Sequence, residues 1–304
     1  MPFGGRMLQL REELLNRLLR VGEEVLNDRA SDPQRPAQEM LPLLEQVMAD
    51  ITGTYVSDGG QWVDYQRLAG SELMQVVGQE VAPALHAFDP ARLADRSQQL
   101  SFWINLYNLL VLDAVLHFRV EKSVTAGPAG ILRFFRRAAY RVGGQRVSLE
   151  DLEQGILRAN RGHPYLPGPQ FGPTDPRRAW VLAPFDPRIH WGLNCASRSC
   201  PPLRAFRAGA IDRQLDVAAQ QFVRSHVAVS PAAGTIRVSS IFKWFSRDFG
   251  GKAGAVDYLC DCLSPGEECA WLTQNRQTVR LDFQPYDWRL NTDGNKPPIS
   301  PSAG

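Results

Sequence analysis

The sequence lacks a strong excess of charge of either sign. Its 304 residues include 34 Lys and Arg against 32 Asp and Glu, which leaves a formal net charge of +2. A chain this close to neutral has no dominant field that would attract nucleic acid or a membrane surface, and we expect neither as a partner. The densest basic run, Arg133 to Arg141, fits a solvated helix face about as well as an anion site.

Long uninterrupted apolar runs are also missing. The most apolar segment, Ser101 to Phe118, contains Asn105, Asn108, Asp113 and His117. Polar side chains at this density are too costly for a segment in contact with lipid. We therefore expect a buried core helix here and no membrane span.

Cysteine is scarce and odd in number. Five cysteines cannot all pair with one another in a disulfide framework. Acidic and basic residues interrupt the apolar pattern of the N-terminus, which lacks the features of a secretory signal. We therefore expect a soluble, cytoplasmic protein whose cysteines are thiols.

Signature motifs of several enzyme classes are absent from the sequence. It has no phosphate-binding P-loop, no dinucleotide-binding glycine fingerprint, no HExxH and no GxSxG. Cys195 and Cys200 have a spacing found in some zinc sites, but Cys260, Cys262 and Cys269 do not supply a second pair with the required spacing. The sequence therefore predicts no metal site and no bound cofactor.

What is present suits a globular protein with a real core, since hydrophobic residues make up 44% of the chain. Apolar residues recur at helical spacing in four segments of the first half: Met7 to Leu26, 40–52, 71–85 and 98–118. Short strand-like runs occur at 138–149, where they flank a Gly143-Gly144 turn, and at 179–184, 189–194, 234–241 and 277–291. The signal Ser148-x-x-Asp151 predicts the start of a helix over 149–160, and short helices are predicted over 242–251 and 255–263. These patterns predict a single α+β domain, in which a buried central helix packs on a small, mostly antiparallel sheet.

Polar segments rich in proline mark the ends of this domain. We predict an N-terminal amphipathic helix and linker over residues 1–38, a globular domain over 39–291 and a disordered tail over 292–304. The helix from Met7 to Leu26 can pack on its own domain, on a protein partner or on a second copy. The Gly- and Pro-rich loop 162–176 has a composition and length typical of loops that form part of a site.

One segment, Ile189 to Pro202, turns abruptly from apolar residues to small, polar and thiol-bearing ones: IHWGLNCASRSCPP. If its first six residues form a strand, Cys195 falls at the strand end, where sites of α/β proteins gather. Backbone N–H groups of residues 196–199 and the charge of Arg198 would then lower the pKa of the thiol. The sequence therefore predicts a functional site here, with Cys195 as candidate nucleophile and Cys200 as a structural thiol.

The histidine that would serve this thiol is not fixed by the sequence. His190 is the nearest candidate for a base or orienting group. Five residues of extended strand span about 16 Å, however, whereas a thiol and its base must lie within about 3 Å of each other. The alternatives are His86, His117, His163 and His226.

Further polar residues complete the predicted site. Asn105 and Asn108 lie three apart on the central helix, and we expect both near the thiol loop, either facing a ligand or tying the helix to loop backbone. Asn194 lies on the same predicted face as His190. Glu153 and Asp287 are candidates for orienting Arg198 or His190, with ordinary capping or pairing as the alternative.

Three sequence motifs resemble those of one known family. They are FWINLYN at 102–108, IHWGLNCASRSCPPL at 189–203 and YDWRLN at 286–291. Together they resemble the family named domain of unknown function 547, found in bacteria and plants, over residues 63–291. No activity is established for that family. The resemblance implies a fold related to papain-like or transglutaminase-like thiol enzymes.

The sequence departs from the family pattern at two positions. The family usually has histidine after the glutamate that corresponds to Glu153, and this chain has Gln154. It usually has phenylalanine after the histidine that corresponds to His190, and this chain has Trp191. The second change is conservative, whereas the first removes an ionisable group.

Two functions are consistent with the sequence. The first is a thiol-dependent hydrolase or transferase acting on a peptide-like or acyl bond, with a small molecule or peptide as substrate. The second is a non-catalytic binding or scaffolding domain that uses the same pocket, with residues 7–26 contacting a protein partner or a second copy of the chain.

Overall fold

The computed structural model describes residues 4–28, 39–127, 129–263 and 265–292. The chain divides into two compact units that are interleaved in sequence. The first comprises Met1–Asp186, Leu193–Ile211 and Trp288–Gly304, and the second comprises Pro187–Gly192 and Asp212–Asp287. Helices predominate over two small sheets, so the predicted helix-rich α+β class is confirmed.

The first unit is built around its longest helix, α6 (Arg96–His117). The Asp95 side chain caps this helix by accepting a hydrogen bond from the Gln98 N–H at 2.9 Å. By length and composition α6 could cross a membrane, but most of its residues are buried inside the protein. The predicted buried central helix is confirmed.

Shorter helices surround α6 in the first unit. They are α1 (Gly5–Leu19), α2 (Met40–Tyr55), α3 (Tyr65–Ala69), α4 (Glu72–Val76), α5 (Ala82–Ala87) and α7 (Gly130–Arg137). A π-helical turn, Val77–Val81, joins α4 to α5 without a break in the chain direction. The helices predicted over 40–52 and 71–85 are therefore present, the second as two α-helical segments joined by a π-helical turn.

The N-terminal helix is shorter than the sequence predicts. It ends at Leu19 because Arg20 adopts a left-handed conformation with a φ of 52°. It also packs back on the first unit, since Arg136 of α7 donates a 2.6 Å hydrogen bond to Glu12. The predicted linker lies largely outside the described residues, as does the predicted tail beyond Thr292.

A hairpin and a helical turn follow α7. β1 (Ala139–Val142) pairs antiparallel with β2 (Gln145–Ser148) across the predicted Gly143-Gly144 turn. The Ser148 hydroxyl accepts the Asp151 N–H at 3.1 Å, and the Asp151 carboxylate accepts the Ser148 N–H at 3.0 Å. This reciprocal cap starts a π-helical segment, Asp151–Leu157, where the sequence predicts a helix.

The second unit contains the other sheet and a separate aromatic core. β4 (Thr235–Val238) pairs antiparallel with β3 (Ala228–Ser230) and parallel with β5 (Arg280–Phe283). Its helices are α8 (Ile211–His226), α9 (Ile241–Trp244), α10 (Gly251–Cys262) and α11 (Glu267–Gln274). Trp191 stacks on Phe222, with 4.7 Å between ring centroids, and donates a hydrogen bond to Tyr258.

Two of the predicted strands are wrong. Pro187–Trp191 forms a 3₁₀ turn, closed by a hydrogen bond from the Gly192 N–H to the Ile189 carbonyl, and Pro176–Trp180 forms another. A proline begins each turn and favours the helical φ. All residues from Ile189 to Asn194 are buried, so the alternating faces expected of a strand do not exist.

Candidate functional site

The thiol-bearing segment Asn194–Pro201 is a closed loop of the first unit, and one side chain joins its ends. The Asn194 carboxamide accepts the Ala196 N–H at 2.9 Å and donates to the Pro201 carbonyl at 2.7 Å. Ala196 has a left-handed backbone with a φ of 63°, which turns the chain sharply after Cys195. The shape of the loop is therefore set by its own hydrogen bonds.

Buried amides from distant parts of the sequence anchor this loop. The side-chain oxygen Oδ1 of Asn108 on α6 accepts the Asn194 N–H at 3.0 Å. On the other side, the Asn291 N–H donates to the Ala196 carbonyl at 3.0 Å, and the Tyr65 hydroxyl donates to Asn291 Oδ1 at 2.7 Å. The three anchoring residues are at most 1% exposed, so water cannot replace them.

Asn105 holds a different stretch of backbone. Its Oδ1 accepts the Phe206 N–H at 3.0 Å, and its Nδ2 donates to the Phe206 carbonyl at 2.7 Å. Both ends of the amide are used and the side chain is fully buried, so Asn105 does not face a ligand. The contact with the thiol loop that we expect of both asparagines is made by Asn108.

The two thiols of the loop occupy different environments. Cys200 is buried, and its Sγ accepts the Cys195 N–H at 3.0 Å and the Ser197 hydroxyl at 3.2 Å. Cys195 is partly exposed, and its Sγ lies 3.4 Å from Ser197 Oγ. Cys200 thus holds the loop together, whereas Cys195 is the thiol that solvent can reach.

The backbone N–H groups of the loop are not arranged as the sequence predicts. Those of Cys195, Ala196 and Cys200 donate to acceptors within the loop, and that of Arg198 donates to the Arg289 carbonyl. A donor already bonded in this way is not available to a developing negative charge on a substrate. Within residues 196–199, the N–H groups of Ala196 and Arg198 are therefore already used by acceptors in the protein.

A buried tyrosine and glutamate lie beside the thiols. The Tyr107 hydroxyl on α6 donates to Glu153 Oε2 at 3.0 Å. Burial, and then the charges of Glu153, Cys195 and Cys200, raise the pKa of Tyr107 well above its ordinary value. Tyr107 therefore stays protonated and acts as a hydrogen-bond donor. Glu153 is thus paired with Tyr107.

A second buried tyrosine has the same electrostatic surroundings. Burial, followed by the charges of Cys200 and Cys195, raises the pKa of Tyr65 well above its ordinary value. Both tyrosines thus place a neutral hydroxyl in the field of the two thiols. A thiolate formed here would raise the cost of ionising either tyrosine, so the cluster holds one negative charge more easily than two.

Arg198 lies on the outer side of the loop. Its guanidinium is 5.3 Å from the centroid of the Trp62 ring, and its Nε donates to the Leu290 carbonyl at 3.4 Å. Stacking of this kind fixes the direction of a planar cation. The fixed positive charge predicted for the loop is thus present.

His190 belongs to the second unit, where it forms a buried pair with Asp248. Its Nε2 is 2.9 Å from Asp248 Oδ2, and its ring lies against those of Phe245 and Phe249. The aspartate fixes the orientation and tautomer of the imidazole, as in His–carboxylate pairs of known catalytic sites. Asp287 is also in this unit and is partly buried.

The alternative histidines have their own surroundings. Burial, and then nearby arginines, lower the pKa of His163 to about 4. His86 Nε2 lies 2.8 Å from the Asn27 carbonyl, and His226 stacks on Phe222 with centroids 4.1 Å apart. The His117 ring meets Phe118 edge-on. His86, His117 and His226 are thus each engaged by local contacts.

Sequence reasoning missed three members of the site: Tyr65, Tyr107 and Asn291. Tyr107 and Asn291 lie inside the motifs FWINLYN and YDWRLN. These motifs carry the family resemblance but do not by themselves indicate a role for either residue. Nothing in the sequence around Tyr65 marks it, because its role depends on a contact with a residue 226 positions away. Ser197, which bridges the two thiols, was counted only as a small polar loop residue.

Comparison with known proteins places part of the chain in a family. Residues 90–223 match the family model described as "Protein of unknown function, DUF547". This segment belongs to the DUF547 family. The DUF547 match includes α6, the reciprocal cap at Ser148 and the thiol loop, whereas Tyr65 and Asn291 lie outside it. No curated protein and no solved structure matches the chain.

Proposed function

We propose that this DUF547 protein is a thiol-dependent hydrolase or transferase that acts on a peptide-like or acyl bond through Cys195. The observation that carries the proposal is the contrast between a solvent-reachable thiol and the rigid, buried network that holds it. Positioning of this kind is what covalent catalysis requires of a nucleophile.

The chemistry follows from the thiol. Cys195 Sγ attacks the carbonyl carbon, a thioester forms, and the amine or alcohol leaves with the proton that the thiol has lost. Water in a hydrolase, or a second nucleophile in a transferase, then breaks the thioester and restores the thiol. Asn108 positions the loop, Arg198 supplies fixed positive charge, and His190 is the sequence-based candidate for the base.

The proposal predicts an unusually reactive Cys195. We expect alkylation by iodoacetamide, followed across pH by mass spectrometry of each cysteine, to give Cys195 an apparent pKa below the ordinary value of about 8.5. Cys269, a partly exposed thiol of the same chain, is the internal control. Cys195→Ser should abolish the fast-reacting site alone.

A Cys195 that alkylates with an apparent pKa at or above that of a free thiol would overturn the enzymatic proposal. His190→Gln tests the base separately. If His190 activates the thiol, this variant slows alkylation near neutral pH while the rate at high pH, where the thiol ionises unaided, stays the same.

A second candidate function is supported by the surface of α1. Met7, Leu10, Leu14 and Leu18 form an apolar stripe along this helix and are 57–70% exposed. Leu8 and Leu19, about a third of a turn away around the helix, are buried. We propose that the stripe binds another helix, with a second copy of the chain as the partner to test first.

Substitution in the stripe separates this role from folding. We expect the native chain to self-associate and the double variant Leu10→Glu/Leu14→Glu to be monomeric, as measured by light scattering. Glu13→Gln, on the exposed surface beside the stripe, is the control. A native chain that is monomeric at all concentrations would contradict self-association.

A further inference from the structure

A second candidate site lies in the first unit, under the N-terminal helix. A cavity of about 540 Å³ is enclosed by α1, the β1–β2 hairpin, the start of the π-helical segment and the loop that carries Gln170 to Arg177. This volume is within the range of small-molecule sites. The loop is the Gly- and Pro-rich segment whose composition pointed to a site.

Three buried polar atoms on the cavity lining have no hydrogen-bond partner. They are Glu150 Oε1, Gln170 Oε1 and Arg136 Nε. The three residues are only 3–5% exposed. Leaving a buried polar atom unsatisfied costs about 1–3 kcal/mol, and more for a charged group, so three such atoms on one cavity indicate a missing binding partner.

The orientation of each group is fixed by its neighbours. Gln170 Nε2 donates to Asp151 Oδ1 at 2.9 Å, and because a carboxylate only accepts, Gln170 must present its Oε1 elsewhere. Asp151 is in turn held by Arg177 at 2.9 Å. Arg136 bonds Glu12 through its terminal nitrogens, which leaves its Nε. The nearest cation to Glu150 Oε1 is Arg136, at 3.8 Å.

The unsatisfied atoms define the ligand that fits. Glu150 and Gln170 present two acceptors and require a cationic N–H group, whereas Arg136 presents a donor and requires an acceptor such as a carboxylate. With Glu150 ionised, a state that a bound cation favours, the lining carries four arginines and five acidic residues and therefore one negative charge in excess. A ligand with one net positive charge would balance it.

We propose that this cavity binds a small amino-acid-like zwitterion with an additional cationic group, such as a basic amino acid. An ammonium or guanidinium of the ligand bonds Glu150 and Gln170, and its carboxylate bonds Arg136. The site is separate from the thiol loop and does not depend on the proposed thiol chemistry.

Calorimetry with L-arginine as the probe tests the site on the full chain. We expect L-arginine to bind, agmatine, which lacks the carboxylate, to bind more weakly, and L-glutamate not to compete. Glu150→Gln keeps the size of the side chain and removes its charge, and should weaken L-arginine binding about tenfold or more. Glu24→Gln, at an exposed position that does not line the cavity, is the matched control and should bind like the native chain.

Circular dichroism of each variant shows that loss of binding is not loss of fold, and Arg136→Lys provides a second variant that removes Nε but keeps the charge. Cys195→Ser should bind L-arginine unchanged, which separates this site from the thiol chemistry.

Two results would overturn the inference. One is no binding of L-arginine, which would leave the cavity to water. The other is equal affinity in the native chain and Glu150→Gln.

Discussion

Single side chains in this protein hold long backbone segments, and asparagine does so repeatedly. Asn194 closes the thiol loop, Asn108 ties it to α6, and the Asn291 side chain donates to Asn194 Oδ1 at 3.4 Å. Asparagine suits this task because its amide carries both a donor and an acceptor, so it can replace a backbone peptide group. The position of Cys195 is thus fixed by amides and not by hydrophobic packing alone.

Asn108 and Asn105 can be distinguished by substitution with leucine, which has a similar size and no hydrogen-bonding group. Asn108→Leu leaves the Asn194 N–H buried without its acceptor, and Asn105→Leu does the same to the Phe206 peptide groups. We expect each to lower the free energy of unfolding by about 1–3 kcal/mol in urea titrations.

The rate of Cys195 alkylation should separate these two variants. We expect Asn108→Leu to change it severalfold, because the loop loses an anchor, and Asn105→Leu to leave it as in the native chain. Equal effects on the alkylation rate would show that Asn108 supports the fold and does not position the thiol.

At the scale of elements, α1 has two unlike faces. Arg136 is nearly buried beneath it and bonds both Glu12 and Asn16, so the buried face combines apolar packing with a charged contact. The face that repeats apolar residues most regularly in the sequence is the one left exposed. The predicted amphipathicity was therefore real, but packing on the first unit uses the other side of the helix.

Two leucines of α1 give a direct test of this orientation. Leu8 is 3% exposed and Leu14 is 58% exposed. We expect Leu8→Ala to cost about 2–3 kcal/mol and to raise hydrogen exchange throughout α1, because it leaves a cavity. Leu14→Ala should stay within about 0.5 kcal/mol of the native chain. Similar losses from both variants would show that α1 packs differently.

An element can be predicted from the sequence when its hydrogen-bond partners are local, and much less so when they are distant in the sequence. The apolar pattern of α6, the Gly143-Gly144 turn and the Ser148–Asp151 cap are local signals, and each predicted the element that forms. The run 189–194 looked like a strand because buried residues are apolar in any conformation, and no local signal shows that a partner strand is missing. α8 was not predicted, since its polar face dilutes its apolar pattern.

In the candidate site, too, local motifs could be recognised from the sequence and distant contacts could not. Cys195, Cys200 and Asn108 were found from the sequence because each lies in a conspicuous motif. The partners that hold them, Tyr65 and Asn291, are more than 90 residues away from the loop in the sequence. One sequence without relatives to compare gives no information on contacts of that range.

At the scale of the whole molecule, two buried ionisable groups make stability depend on pH in opposite directions. Burial raises the pKa of the Glu150 carboxyl to about 8, so the folded state holds a proton that the unfolded state has lost. The stability that Glu150 contributes is fully present below the pKa of this carboxyl in the unfolded chain. It is lost as the pH rises to about 8. His163, with its pKa lowered to about 4, destabilises the fold as the pH falls below 6.5.

Between pH 6.5 and 8 the contribution of Glu150 should therefore be separable from that of His163. We expect the free energy of unfolding to fall by up to about 1.4 kcal/mol per pH unit in this window, and Glu150→Gln to remove that slope. Urea titrations at several pH values measure both. A native chain with the same slope as Glu150→Gln would show that Glu150 is ionised in the folded protein at neutral pH.

The hydrogen bond that anchors the thiol loop to Asn291 has a consequence for biosynthesis. Asn194 and Cys195 emerge from the ribosome long before Asn291 does. The whole second unit except residues 187–192 is translated in between. Domains whose sequence is continuous fold as they emerge. Here a nascent chain keeps Cys195 in an incompletely anchored loop until Asn291 has emerged, so the thiol acquires its final surroundings only after the second unit has been made.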